Sequence, residues 1–194
     1  MYQPVEIVNI GLMKIGSSRV NRLDPPSTPL ERQAATGYVH WKRTELAKRR
    51  WVFATEDDVV LTKVEELTDV EKRYKYLLPT NCLRPLRDTT TEWKQRGRHV
   101  YSAYSSLRVS MVTDRDESEF DPLFIEVLAA RCAKELAEPV TASNSKKDYA
   151  AAAYDEAVTV AGRNNAYVIG PERVADDDSD FPFLMGRHYD GYYA

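Results

Sequence analysis

The stretch TPLERQAATGYVHWKRTELAKRRWVFA, residues 28–54, holds the change of period on which the fold turns. Thr28-Pro29-Leu30-Glu31 fits a capping box with proline at the first helical position, so a helix starts there. Leu30, Ala34, Tyr38 and Trp41 then recur at helical spacing and form its core face. The basic run Lys48-Arg49-Arg50 suits the negative end of the helix dipole. From Trp51 the 3.6-residue period is lost, and Trp51-Val52-Phe53-Ala54 reads as the first of several short strand-like runs.

Upstream, Val5, Val8, Leu12 and Ile15 line one face of a first helix, with Gly16 placed to end it. Asp24-Pro25-Pro26-Ser27 is a rigid connector that disfavours helix. Downstream, Tyr74-Lys75-Tyr76-Leu77 and Leu107 to Val112 read as strands; in the latter Leu107, Val109 and Met111 alternate with Arg108 and Ser110. Trp93 to Tyr101 places Gly97 between two strand-like arms that carry Lys94, Arg96 and Arg98, a hairpin whose tip projects charge. Asp121-Pro122 opens a third helix, which Glu138-Pro139 is expected to stop. A fourth runs from about Ser145 to Gly162, with Ala150, Tyr154, Ala157 and Ala161 as a small-residue stripe that permits close helix approach.

The expected fold is therefore α+β: a four-helix bundle (1–50 and 121–162), a β-rich insertion (51–120) and an extended C-terminal arm (163–194). The arm carries the acidic cluster Asp176-Asp177-Asp178 with Asp180, then Phe181, Phe183, Leu184, Met185, Tyr189, Tyr192 and Tyr193. Ordinary disordered tails are poor in aromatics, so this segment reads as one that docks on a partner. The 24 residues from Pro171 onward extend up to roughly 80 Å, against a domain radius of gyration near 16 Å, so the arm reaches a neighbouring subunit.

A net charge of −3 and a pI near 5.7 exclude a tight nucleic-acid clamp, which needs clustered Lys and Arg to displace counterions. A wall that DNA slides past is better neutral or acidic, so the same charge permits a conduit. Cys82 and Cys132 lack any Cys-x-x-Cys spacing and are expected as reduced, buried small hydrophobes. No apolar run approaches a membrane span and no signal-like start is present, so the chain reads as a soluble intracellular product.

Searches for chemistry return little. Neither a Walker loop, a dinucleotide glycine fingerprint nor a His-Glu-x-x-His pair occurs, so no cofactor is expected. His40, His99 and His188 fall on a helix, a hairpin and the tail, and no metal is expected. The run from Asp176 to Asp180 lacks the alternation and turn glycine of a calcium loop and reads as a solvated or Arg-seeking tract. Trp51-Val52-Phe53 reads as core or junction packing before a ligand pocket.

Four motifs carry a resemblance. Val8-Asn9-Ile10-Gly11-Leu12-Met13-Lys14-Ile15-Gly16 is similar to an L-N-x-x-L-x-x-I-G opening. Arg49-Arg50-Trp51-Val52-Phe53-Ala54 is similar to a W-x-F-A signature, and Leu77-Leu78-Pro79-Thr80-Asn81-Cys82-Leu83-Arg84 to L-P-x-D-C-L-R, with Asn81 for the usual acid. Phe120-Asp121-Pro122-Leu123-Phe124 with Ala129 to Ala137 is similar to F-D-P-L-F … A-A-x-L-A-x-E-L-A. In this order the motifs resemble the tail tubular protein A family of short-tailed phage head-to-tail adaptors, over roughly residues 5–162.

The resemblance implies a structural virion protein rather than an enzyme: a dodecameric ring below the portal protein, joined to a nozzle protein of the tail tubular protein B type, with DNA passing through the lumen without specific binding. It implies assembly in the host cytoplasm and no membrane partner. Under that reading Phe181, Phe183, Leu184, Tyr189, Tyr192 and Tyr193 contact the portal or a neighbouring subunit, and Lys94, Arg96 and Arg98 lie on the nozzle side. The alternatives are a tail-associated glycan or peptidoglycan hydrolase, for which thirty carboxylates are the only support, and a head-completion connector, which usually has a smaller insertion.

Overall fold

A computed structural model describes residues 2–67, 74–87 and 92–170. Among these, four α-helices and seven strands in two antiparallel sheets make an α+β fold. The expected contacts of Phe181, Phe183, Leu184, Tyr189, Tyr192 and Tyr193 lie outside the described residues.

Helix α1 (Pro4–Lys14) begins where the Gln3 amide donates to the Glu6 carboxylate at 2.7 Å. It ends in a Schellman turn: Ser17 N donates to Leu12 O, Gly16 N donates to Met13 O, and Gly16 takes the left-handed φ of +65° that the motif requires. Lys146 Nζ donates to the free Ile15 carbonyl at 2.8 Å, placing a cation at the negative end of the helix.

Helix α2 (Pro29–Lys48) starts at the expected capping box: Glu31 N donates to Thr28 Oγ1, and Thr28 N donates back to Glu31 Oε2. The Glu31 carboxylate is buried and also accepts from Ser27 N, Ser27 Oγ and Asn21 N, so one side chain ties the proline-rich connector to the helix. These hydrogen bonds, those from Ser27 first, hold its pKa far below the usual carboxylate range.

Helix α3 (Pro122–Thr141) is capped by Asp121, whose Oδ1 accepts from Leu123 N at 2.8 Å. It is the central element, since α1, α2 and helix α4 (Asn144–Ile169) all pack on it. A Cβ at Gly11 would meet the Ala129 carbonyl at 2.6 Å, so glycine sets how closely α1 and α3 approach. Ala150, Tyr154 and Ala161 of α4 are buried as expected, with Ala157 half-buried.

Two expectations about helix ends are corrected. Pro139 does not stop α3; the turn continues because Ala142 N donates to Glu138 O and Thr141 Oγ1 donates to Ala137 O, and it ends where Ala142 turns left-handed at φ +48°. Gly162 does not end α4, which runs seven residues further, so 163–169 are helical rather than extended. Gly162 instead leaves room for Arg49, whose Nη1 lies 2.1 Å from where a Cβ would be.

The strands are β1 (Thr55–Val60), β2 (Thr62–Glu66), β3 (Tyr74–Leu77), β4 (Cys82–Pro85), β5 (Trp93–Arg96), β6 (His99–Ser102) and β7 (Arg108–Thr113). They form one sheet ordered β1-β7-β4 and another ordered β2-β3-β6-β5. Val52–Ala54, expected as a strand, is a 3-10 turn, because Trp51 O accepts from Ala54 N and Thr55 Oγ1 and thereby curls the chain. Strand β2 is exposed throughout and studded with Lys63, Glu65 and Glu66, which protects a sheet edge.

Alternation along β7 divides the interior. Val112 joins the helix-centred core with Trp51, Ala54, Phe120 and Phe124. Leu107, Val109 and Met111 point into a second cluster with Leu61, Tyr76, Trp93 and Val100. Trp51, Phe53, Phe120 and Phe124 meet ring to ring, the closest pair being Phe120 and Phe124 at 4.9 Å, edge to face. The Trp51–Phe53 segment is thus packing between helices and strands.

Candidate assembly surfaces

The hairpin forms as expected. Strands β5 and β6 join at Gly97, which takes φ +59° with open space around it. Lys94 and Arg96 are exposed on β5, and the Arg96 guanidinium lies 5.8 Å from the Tyr101 ring centre. Arg98 behaves differently. Its Nη2 donates to the carbonyls of Leu78 and Pro79 at 3.0 and 2.9 Å, which pins the tip to the preceding loop. Two of the three basic side chains therefore remain available to a partner.

A buried polar cluster, not picked out from the sequence, joins three helices. Tyr154 of α4 donates to both oxygens of Glu45 on α2, which also accepts from Lys48 Nζ at 2.7 Å and has Arg131 Nη1 of α3 at 3.7 Å. Lys48, Arg131 and Lys134 surround the Tyr154 ring, with Lys134 nearest at 4.7 Å. Burial lowers the Lys48 pKa, but the bonds to Glu45 and Tyr154 outweigh it and leave the ammonium above its ordinary range. The signal was present: Glu45 continues the spacing of Ala34, Tyr38 and Trp41, a charge on an apolar stripe.

The motif asparagine also has a structural role. Asn9 Nδ2 donates to Val20 O and its Oδ1 accepts from Val20 N, both at 2.9 Å, so the side chain acts as one rung of backbone pairing for the loop after α1.

The helices leave two shallow surfaces open. The outward face of α2 presents Thr36, Val39, His40, Arg43, Thr44 and Ala47. A groove between α1, α3 and α4 is lined by Leu123, Glu126, Tyr149, Ala153, Glu156 and Val160, with Lys14 bridging to Glu126 at its rim. A smaller recess beside Trp51 and Val52 is closed by Asn165, which accepts from Val52 N and donates to Arg50 O.

Among the described residues, no group of His, Cys, Asp or Glu is arranged to hold a metal ion, and no helix is long and apolar enough to cross a membrane. His40 is exposed on α2 and His99 half-buried on β6; His188 lies outside the described residues. Both described cysteines are free. Cys132 is buried, which pushes its thiol up to about 12, whereas Cys82 is only half-buried.

Compared with known proteins, residues 5–167 match a family model described as Tube, tail tubular protein. No curated protein shows significant similarity to the chain.

Proposed function

Because the chain belongs to the tail tubular protein family, and so is a structural component of a phage tail, we propose that it is the head-to-tail adaptor, a ring subunit between portal and tail nozzle. The family match over residues 5–167 carries this reading. A ring subunit needs side-to-side contacts and two further faces, one for each neighbour in the stack, rather than a catalytic pocket. In this reading the helices form a four-helix bundle that packs the ring, which has twelve copies. The β-rich insertion (51–120) meets the nozzle protein through Lys94 and Arg96, with Arg98 holding the tip in shape. The large apolar residues Phe181, Phe183, Leu184, Tyr189, Tyr192 and Tyr193 belong to an arm that contacts the portal or a neighbouring subunit.

The overall charge of −3 supports a lumen that DNA traverses without being held, as genome ejection requires. The protein acts in the virion neck after assembly in the host cytoplasm. Removal of residues 171–194 tests the division of labour. The truncated chain is expected to keep its melting transition and lose co-sedimentation with portal rings. Retained co-sedimentation would remove the arm from the portal contact.

A further inference from the structure

Two stretches of helix surface, one on α2 and one on α4, lie open. On α2, Thr36, Val39, His40, Arg43, Thr44 and Ala47 follow helical spacing over twelve residues, about 16 Å of helix. A purely solvated helix face carries mostly long charged groups. This one sets Thr36, Val39, Thr44 and Ala47 among His40, Arg43 and Lys48, and Val39 is 58% exposed. On α4, Tyr149, Ala153, Glu156 and Val160 likewise span twelve residues and wall the groove of about 310 Å³ whose other side is Lys14, Leu123 and Glu126. Tyr149 is 65% and Val160 47% exposed. An open helix face and a groove of equal length thus carry no partner among the described residues.

Their placement follows from α3. Arg131 points to Glu45 of α2, whereas Glu126, five residues earlier and so about 140° round the helix, points into the groove. Their charges are complementary. The α2 face carries Arg43 and Lys48 and no carboxylate; Arg43 Nε already meets Asp114 at 3.3 Å, which leaves its terminal nitrogens for a further acceptor. The groove carries Glu126 and Glu156 against the single Lys14, and Glu156 has no ion-pair partner among the described residues.

We propose that the α2 stripe of one copy seats in the α1–α3–α4 groove of the next. This rests on the reading of the chain as a ring subunit and names the two faces that meet. A face joined to a different surface of the next copy is a heterologous contact, which repeats until the ring closes.

Single acidic substitutions on each face test it. Val39→Glu spoils the α2 face and leaves the groove, and Val160→Glu does the reverse; both positions are exposed, so the fold tolerates them. Sedimentation velocity is run at a concentration, or on portal rings, where the unaltered chain assembles. Each variant alone is expected to stay monomeric, with self-association weakened at least about tenfold by the buried charge. An equimolar mixture is expected to form a heterodimer that grows no further, since only one intact α2 face and one intact groove remain. Either variant assembling like the unaltered chain, or a mixture that stays monomeric, would overturn this contact while leaving the ring reading in place. Failure of the unaltered chain to assemble, alone or on portal, would overturn the ring reading and this contact with it.

Discussion

The Tyr154 hydroxyl reaches from α4 to both oxygens of Glu45 on α2, at 3.0 and 3.1 Å. It accepts from Lys48 Nζ at 2.8 Å in the same position, so donor and acceptor capacity are both used inside the helical layer. Tyr154→Phe removes the one neutral donor to a buried carboxylate and is expected to cost about 1–3 kcal/mol, read as a lower urea midpoint with unchanged slope. Glu45→Ala, which takes the carboxylate from between Lys48 and Arg131, is expected to cost more.

The close approach of α1 to α3 depends on Gly11. Gly11→Ala forces the new methyl to within 2.6 Å of the Ala129 carbonyl, a backbone atom that cannot swing aside. A loss of about 1–3 kcal/mol is expected from overpacking, although alanine favours helix. Asn9→Ala, which removes both bonds to Val20, is expected to cost about 1–2 kcal/mol. Both are measured by equilibrium unfolding.

Glu31 makes stability depend on acid. Its pKa is depressed in the folded chain, so its stabilisation is present above the ordinary carboxylate pKa, near 4.3, and is lost as pH falls from there toward the lower folded value. Glu31→Gln is therefore expected to melt below the unaltered chain at pH 7. The gap should narrow steadily between about pH 5 and pH 2 in thermal scans. A gap independent of pH would locate the effect in shape rather than charge.

The two cysteines are expected to separate on labelling. Cys132 is buried with its thiol pushed up to about 12, so a thiol reagent at pH 8 reaches it only on unfolding. Cys82, half-buried on β4, reacts first and slowly, because burial raises its thiol as well. Mass spectrometry after timed quenching counts one adduct on the native chain and two in denaturant.

Basic residues on the hairpin divide by role. Lys94→Glu with Arg96→Glu is expected to weaken nozzle binding without lowering the melting temperature, because both side chains are exposed. Arg98→Ala is expected to lower stability, since it frees two carbonyls, on Leu78 and Pro79. Pull-down with the nozzle protein and a thermal scan read the two effects.

Much of this arrangement was legible in the chain. Local signals located the capping box at Thr28, the cap at Asp121, the turn at Gly97 and the alternation along β7, each written within a few residues. Tertiary contacts decided what was misread. Pro139 falls in the last turn, where the lost hydrogen bond is tolerated and Glu138 and Ala137 carry the ladder on. Gly162 reads as a terminator, yet Asn165 is held by backbone groups of Arg50 and Val52 more than a hundred residues away. Strand-like composition at Trp51–Ala54 gave way to ring packing on Phe120 and Phe124. The open face of α2 and the groove beside α4 were hidden because each looks, one helix at a time, like an ordinary solvated face.

Mass photometry of the purified chain, alone and then mixed with its portal ring, tests the adaptor reading most directly. The reading predicts that the portal species gains mass in a discrete step of about twelve subunits, roughly 270 kDa from a 22.2 kDa chain. A chain that stays at its monomer mass and leaves the portal peak unmoved would contradict it.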